Sequence, residues 1–282
     1  MKIALGTVQF GLKYGINNQI GVPSDNEIRT IFDFLKENGV DTIDCAASYG
    51  DAESKVGKLS DPAFNIITKF PETKEEKQLD IKLSTSLKFL KRNSIYGYMA
   101  HNADNLMDYP KIWDRLNSIK EKGIVKKIGY SLYTPLQLES LLKLGMIPDI
   151  VQLPFSLLDK KFERYLESLK SIGTEIHARS VYLQGLYFIE IESLPPKFKL
   201  IKPELHKLHK LCEQKKITMS SLALNFVINN IFIDKVVIGV DSIKQLRENI
   251  SCLNDWVYDE EVNETVNSIK VKSQELLNPI NW

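Results

Sequence analysis

Residues 24–46 read SDNEIRTIFDFLKENGVDTIDCA, and the fold is decided by how this stretch is read. Ile28, Ile31, Phe32 and Leu35 recur at i, i+3, i+4 and i+7, the spacing of one buried helical face. Ser24 and Glu27 have the Ser-x-x-Glu spacing of a capping box, so a helix is expected over residues 24–38. Asn38-Gly39 ends it, because glycine readily adopts the left-handed conformation that closes a helix. Residues 42–46 then form a short strand pattern that carries Asp44 near its far end. The unit is a helix, a glycine, a buried strand and a carboxylate.

The same order repeats along the chain. Strand patterns occupy residues 3–6, 42–46, 65–69, 96–101, 127–131, 150–153, 175–180 and 235–239, with amphipathic helical stretches between them. Lys122-Gly123, Leu144-Gly145 and Ile172-Gly173 repeat the Asn38-Gly39 junction just before a strand. Repeated helix–Gly–strand units imply parallel strands joined by crossover helices. Eight such strands predict an α/β fold of the (β/α)8 TIM-barrel type, one domain spanning residues 1–282. No G-x-G-x-x-G follows the first strand, which argues against a dinucleotide-binding open sheet. Two connections are long, residues 7–23 and 181–202. Both follow strands, so they are expected at the C-terminal face, where barrels build their sites.

Composition narrows the function. The chain has 282 residues, 37 Lys plus Arg against 36 Asp plus Glu, and a formal net charge of +1. That balance gives no global field for nucleic acid or an anionic membrane. Three cysteines do not make a disulfide framework and suit a reducing compartment. Met1-Lys2 run straight into Ile3-Ala4-Leu5, with no leader pattern. No apolar run reaches the roughly 18 residues of a membrane span. The expectation is a cytoplasmic enzyme acting on a small molecule, with its oligomeric state left open.

Four residues near three successive strand ends could do chemistry together. Asp44 ends the second strand and Tyr49 follows it; Lys69 closes the third and His101 the fourth. Adjacent strands stand about 4.8 Å apart, so these groups can meet at one mouth. A Tyr hydroxyl with a pKa of about 10 is a weak acid, and a neighbouring ammonium is expected to lower it. The carboxylate keeps the ammonium charged, and the imidazole can hydrogen-bond a substrate carbonyl. Such a site donates a proton to a polarised C=O.

With these residues in place the chain resembles the aldo-keto reductase superfamily over nearly its whole length. The resemblance rests on Leu5-Gly6-Thr7, Tyr49-Gly50, Glu53, Gly57, Ile128-Gly129-Tyr130-Ser131, Val151-Gln152 and Gln245-Leu246-Arg247-Glu248-Asn249, besides the four residues above. It implies a catalytic tetrad of Asp44, Tyr49, Lys69 and His101, and a nicotinamide cofactor bound without a Rossmann domain. It implies cofactor contacts at Gly6, Thr7, Ser131, Gln152, Arg179, Gly239, Val240, Asp241, Gln245, Glu248 and Asn249. Ser242 and Gln245 again have capping-box spacing, and a helix starting there would offer free N–H groups to phosphate. Gln9, Phe10, Tyr14 and the tail 278–282 are candidates for the substrate pocket.

Several positions depart from the family pattern. Leu132 stands where many members have Asn, and Arg179 where an aromatic commonly stacks on the nicotinamide. Asp241 would repel a 2′-phosphate unless Lys244 or Arg247 compensates. The resemblance implies NADP, with NAD the contender. With strand one at residues 3–6, the family's N-terminal hairpin is expected to be missing.

The reading is an NAD(P)H-dependent reductase of an aldehyde or ketone, an oxo-sugar being one candidate, with Tyr49 as proton donor. Two alternatives stay open: a Schiff-base lyase or aldolase using Lys69, and a cofactor-binding regulatory barrel with vestigial activity. A metal-dependent hydrolase using His101 and His177 is a weaker one. His206 and His209 at i, i+3 fit a solvated helix face, and Cys45 a small buried residue.

Overall fold

The computed structural model describes residues 1–16, 18, 20–253, 259–271 and 273–278. Eight parallel strands close into one barrel in sequence order: β1 (Ile3–Gly6), β2 (Thr42–Asp44), β3 (Asn65–Phe70), β4 (Ile95–Ala100), β5 (Val125–Ser131), β6 (Ile150–Pro154), β7 (Glu175–Arg179) and β8 (Lys235–Gly239). β8 pairs with β1 to complete the ring, Gly239 opposite Gly6. Each strand lies within two residues of its expected position. The barrel is the predicted TIM-barrel fold.

Register brings the polar strand ends to one rim. Gly6 lies opposite Asp44, Lys69 opposite Met99, Ser131 opposite Gln152, and Pro154 opposite Arg179. The glycines at the helix-to-strand junctions all take left-handed backbone, with φ of +67° at Gly39, +71° at Gly123, +75° at Gly145 and +83° at Gly173. A Cβ would strain each of them.

The main core fills the layer between strands and helices. The first crossover helix, Asp25–Glu37, buries Ile28, Ile31, Phe32 and Leu35, as its periodicity predicts. Ile67, Met99 and Ile150 form a separate small cluster with Tyr96 packed against it. Beside Tyr96, the Glu175 carboxylate accepts hydrogen bonds from the Tyr96 hydroxyl at 2.7 Å and from Lys127, and pairs with His177 Nε2 at 2.6 Å. Burial alone would raise the pKa of Glu175; these partners outweigh it and hold the carboxyl far below its usual range.

Two sequence expectations change. Ser24 Oγ accepts from Glu27 N at 3.2 Å, but the Glu27 carboxylate does not close a capping box. It accepts from Ile243 N at 2.6 Å and so ties the first crossover helix to the helix Ile243–Ser251. A tertiary donor has taken the place of the local one. The two long connections are also not bare loops. Residues 7–23 contain the short helix Val8–Gly11, and residues 181–202 contain the 3-10 turns Leu183–Phe188, Ile191–Ser193 and Pro196–Phe198. Leu183, Leu186, Tyr187 and Phe198 build a second apolar cluster with Leu205, Leu208 and Leu222. Among the described residues, no helix is long and apolar enough to cross a membrane.

Candidate active site

A cavity of ≈ 560 Å³ opens at the rim formed by the strand C-termini. Asp44, Tyr49 and His101 line it together with Ser131 and Gln152. A larger recess of ≈ 700 Å³ lies on the outer helical layer, among Leu83, Leu87, Arg92 and Arg115, and holds none of the sequence-predicted residues.

The centre of the site is a buried ion pair. Lys69 Nζ donates to both oxygens of Asp44, at 2.7 and 2.6 Å, and to Cys45 O at 3.0 Å. Gln152 Nε2 donates to Asp44 Oδ1 at 2.7 Å, and Thr7 Oγ1 to the Asp44 carbonyl at 3.0 Å. Both charged side chains are almost wholly shielded, with 1% and 3% exposure. Burial works against the Lys69 charge, but Asp44 and Tyr49 outweigh it and its pKa rises. Lys69 is therefore an ammonium at neutral pH.

Tyr49 stands over this pair. Its ring centroid lies 5.3 Å from Lys69 Nζ and 5.5 Å from the His101 ring, with the rings at 85°. Burial pushes the Tyr49 hydroxyl up to about 12, Lys69 pulls it down and Asp44 adds to the rise. The expected lowering by Lys69 is present as one influence, and burial overrides it. The consequence is a phenol that stays protonated throughout the neutral range. Burial and the Lys69 charge push His101 down to about 4, so its imidazole is neutral. A neutral ring donates one N–H to a carbonyl without adding charge.

The backbone that carries Tyr49 is held by close approach. A Cβ on Gly11 would sit 1.7 Å from Tyr49 O, and one on Gly50, where φ is +58°, would sit 2.5 Å from Gly11 O. The two segments touch backbone to backbone, which only glycine permits. Lys55 Nζ adds a 2.7 Å bond to Phe10 O.

The outer wall combines β5 and β7 residues. Arg179 donates to Leu132 O at 2.9 Å and Ser180 Oγ at 3.1 Å, and its guanidinium lies 4.5 Å from the Tyr133 ring centroid. The Leu132 side chain itself is buried away from the cavity, so this position contributes its carbonyl rather than a polar side chain. Gln184 Nε2 donates to Tyr14 Oη at 2.7 Å, linking the two long connections across the mouth.

From the mouth the cavity runs past Gly6, Thr7 and Gly239 to Asp241, Gln245, Glu248 and Asn249. Most of the residues expected to hold a cofactor therefore share one groove. Val240 does not; it is buried in the main core. Phe10, expected in the substrate pocket, is also core, packed edge-on against Phe32 at 5.8 Å. Its place on the short helix turns it inward, whereas Gln9 and Tyr14 line the cavity. Residues 279–282 of the tail lie outside the described residues.

The helix start beyond Gly239 is more occupied than its sequence suggests. Ser242 Oγ accepts from Gln245 N at 3.3 Å, Gln245 Oε1 accepts from Asp241 N at 3.1 Å, and Ile243 N is spent on Glu27. Two groove oxygens, Gln9 Oε1 and Asp241 Oδ1, are buried with no hydrogen-bond partner among the described residues. Such acceptors fit a ligand that brings donors, as ribose hydroxyls and a carboxamide do.

Sequence reading missed Tyr133, Tyr182 and Phe188, which also line the cavity. Tyr182 Oη donates to Asn249 Oδ1 at 2.8 Å and ties the wall to the helix Ile243–Ser251. The signal available was position: all three follow the C-termini of β5 and β7. His177, needed by the metal-dependent reading, is engaged by Glu175 rather than turned to His101. His206 pairs with Glu192 at 3.4 Å on an exposed helix face. Burial pushes the Cys45 thiol up to about 12, so it is no nucleophile.

Comparison with known proteins agrees with this architecture. The chain is 23% identical over 274 residues to a chloroplastic pyridoxal reductase of Arabidopsis thaliana, covering 81% of this chain and 73% of the relative. Its fold superposes with a TM-score of 0.76 on the holo form of an aldo-keto reductase from Bacillus halodurans, at 19% identity over 95% of this chain and 91% of that one. A glycerol dehydrogenase from Gluconobacter oxydans superposes equally well, with a TM-score of 0.76, at 18% identity over 95% and 90% of the two chains. The aldo/keto reductase family model matches residues 2–271, so the chain belongs to the aldo/keto reductase family.

Proposed function

We propose that this protein reduces an aldehyde or ketone in a nicotinamide-dependent reaction in which Tyr49 gives the proton. The observation that carries the reading is the Asp44–Lys69 pair beneath Tyr49, with neutral His101 beside it. A bound nicotinamide dinucleotide supplies the hydride. The residues suited to hold it are Ser131 and Gln152 near the mouth and Gly239, Asp241, Gln245, Glu248 and Asn249 along the groove. Gln152 uses its Nε2 on Asp44, which leaves its side-chain oxygen to accept from a carboxamide.

The chain's own residues handle the proton. His101 donates a hydrogen bond to the substrate carbonyl oxygen and orients it. Tyr49 transfers its phenolic proton to that oxygen as negative charge develops there. Lys69 stabilises the tyrosinate left behind, and Asp44 keeps Lys69 charged and in place. The family resemblance implies NADP, and the charge of the groove bears on that choice.

The substrate is a small carbonyl compound. Arg179, Tyr14 and Gln184 make its outer wall polar, which suits a hydroxyl-rich molecule such as an oxo-sugar. The Schiff-base alternative finds no support at Lys69. That chemistry needs a neutral amine, and this one is an ammonium bonded to three oxygens. Steady-state reduction across an aldehyde and ketone panel tests the proposal. Loss of turnover in Tyr49→Phe supports it, and unchanged turnover overturns it.

A further inference from the structure

We infer that the groove selects the dinucleotide without a 2′-phosphate, so that NAD(H) rather than NADP(H) is the preferred cofactor. The inference rests on the nicotinamide-dependent reading above and concerns the far limb of the same groove. The reacting ring must lie at the mouth, beside Tyr49 and His101. The cavity continues from there past Gly239, and the rest of a dinucleotide follows it toward Asp241 and Glu248.

The charge along that limb has the wrong sign for an extra phosphate. Asp241 is 6% exposed, and its Oδ1 is buried with no partner among the described residues. Glu248, on the helix Ile243–Ser251, also lines the groove. Neither nearby cation neutralises Asp241. The Arg247 guanidinium lies over the Phe34 ring, 4.6 Å from its centroid. Lys244 is extended to Glu248 at 4.0 Å on the exposed helix face. Arg179 is the one lysine or arginine among the described lining residues, and its bonds to Leu132 O and Ser180 Oγ hold it at the mouth.

Hydrogen-bond capacity points the same way. Among the described residues, the buried groups of the groove that lack a partner are acceptors, Asp241 Oδ1 and Gln9 Oε1. A phosphate at neutral pH brings negative oxygens and little donor capacity. A ribose diol brings two O–H donors. A buried carboxylate next to a 2′-phosphate adds like-charge repulsion in a shielded site, whereas next to a 2′-hydroxyl it gains a charge-assisted hydrogen bond. Removing Arg247 to Phe34 and occupying Ile243 N with Glu27 takes away two groups that could have met the phosphate.

The test is a fluorescence titration of the whole protein with NADH and with NADPH, at fixed ionic strength and without substrate. NADH is expected to bind at least about tenfold more tightly. Asp241→Asn and Glu248→Arg are each expected to improve NADPH binding about threefold or more relative to NADH. Equal or tighter binding of NADPH by the unmodified protein overturns the inference, as does an unchanged ratio in both variants. Binding of neither cofactor overturns the reductase reading together with the inference. Selective NADH binding without reduction of any carbonyl would overturn the Tyr49 mechanism and still support this inference.

Discussion

Lys69 Nζ sits between the two carboxylate oxygens of Asp44, at 2.7 and 2.6 Å, inside a barrel rim that shields both side chains almost completely. A buried pair of this kind costs desolvation energy, which the geometry and the extra bonds from Gln152 and to Cys45 O offset. Breaking one side leaves an uncompensated charge. Lys69→Met is expected to destabilise the protein by about 3–5 kcal/mol, seen as a lower urea midpoint. Asp44→Asn combined with Lys69→Met should cost less than the sum of the two single changes. Additive losses would show that the two groups do not stabilise each other.

Tyr49→Phe removes the proton and keeps the ring. Turnover should fall by about 10²–10⁴-fold, the usual contribution of a positioned general acid. Cofactor affinity, read by fluorescence, should not change. A parallel loss of cofactor binding would mean that the ring has moved.

The pH behaviour follows from His101. Its folded-state pKa of about 4 lies below the ordinary value of 6.5. The unfolded chain therefore binds the proton first as pH falls. The contribution of His101 to stability is complete above about pH 6.5 and is lost as pH drops toward 4. The loss is up to about 3 kcal/mol. Urea unfolding at pH 4.5 and pH 7 measures it, with His101→Gln as reference. Tyr49, pushed up to about 12, keeps its proton through the same range, so turnover should be level between about pH 6 and 9. A proton resonance of the His101 ring titrating near 6.5 would remove this account.

Gly11 tests how Tyr49 is positioned. An added Cβ would meet Tyr49 O at 1.7 Å, so one of the two backbones must shift. Gly11→Ala should lower kcat by about tenfold or more while the protein stays folded, because small displacements of an acid are costly. Wild-type kcat in this variant would show that the contact does not place Tyr49.

Cutting the bridge between the two long connections has a milder effect. Gln184→Ala removes the 2.7 Å bond to Tyr14 at the mouth. The expected result is faster cofactor release in stopped-flow, with stability within about 0.5 kcal/mol, since the bond is exposed. Unchanged release would assign the bridge no role in retention.

The amino-acid sequence by itself determined the barrel, its strand limits and the four side chains proposed for catalysis. These depend on local signals: apolar periodicity, glycines at helix ends, and polar residues at strand C-termini. The Ser242–Gln245 spacing marked a helix start after the last strand, and the family resemblance assigned Asp241, Gln245, Glu248 and Asn249 around it to the cofactor. Tertiary structure decided what no local pattern encodes. Glu27 satisfies Ile243 N, 216 residues away, instead of closing its own capping box. Phe10 and Val240 pack into the core although their neighbours line the cavity, because inward or outward direction is set by the elements they meet. Arg247 rests on the Phe34 ring, a contact that no local pattern encodes. Burial, a property of the assembled barrel, raised the Tyr49 pKa where the adjacent ammonium alone would have lowered it.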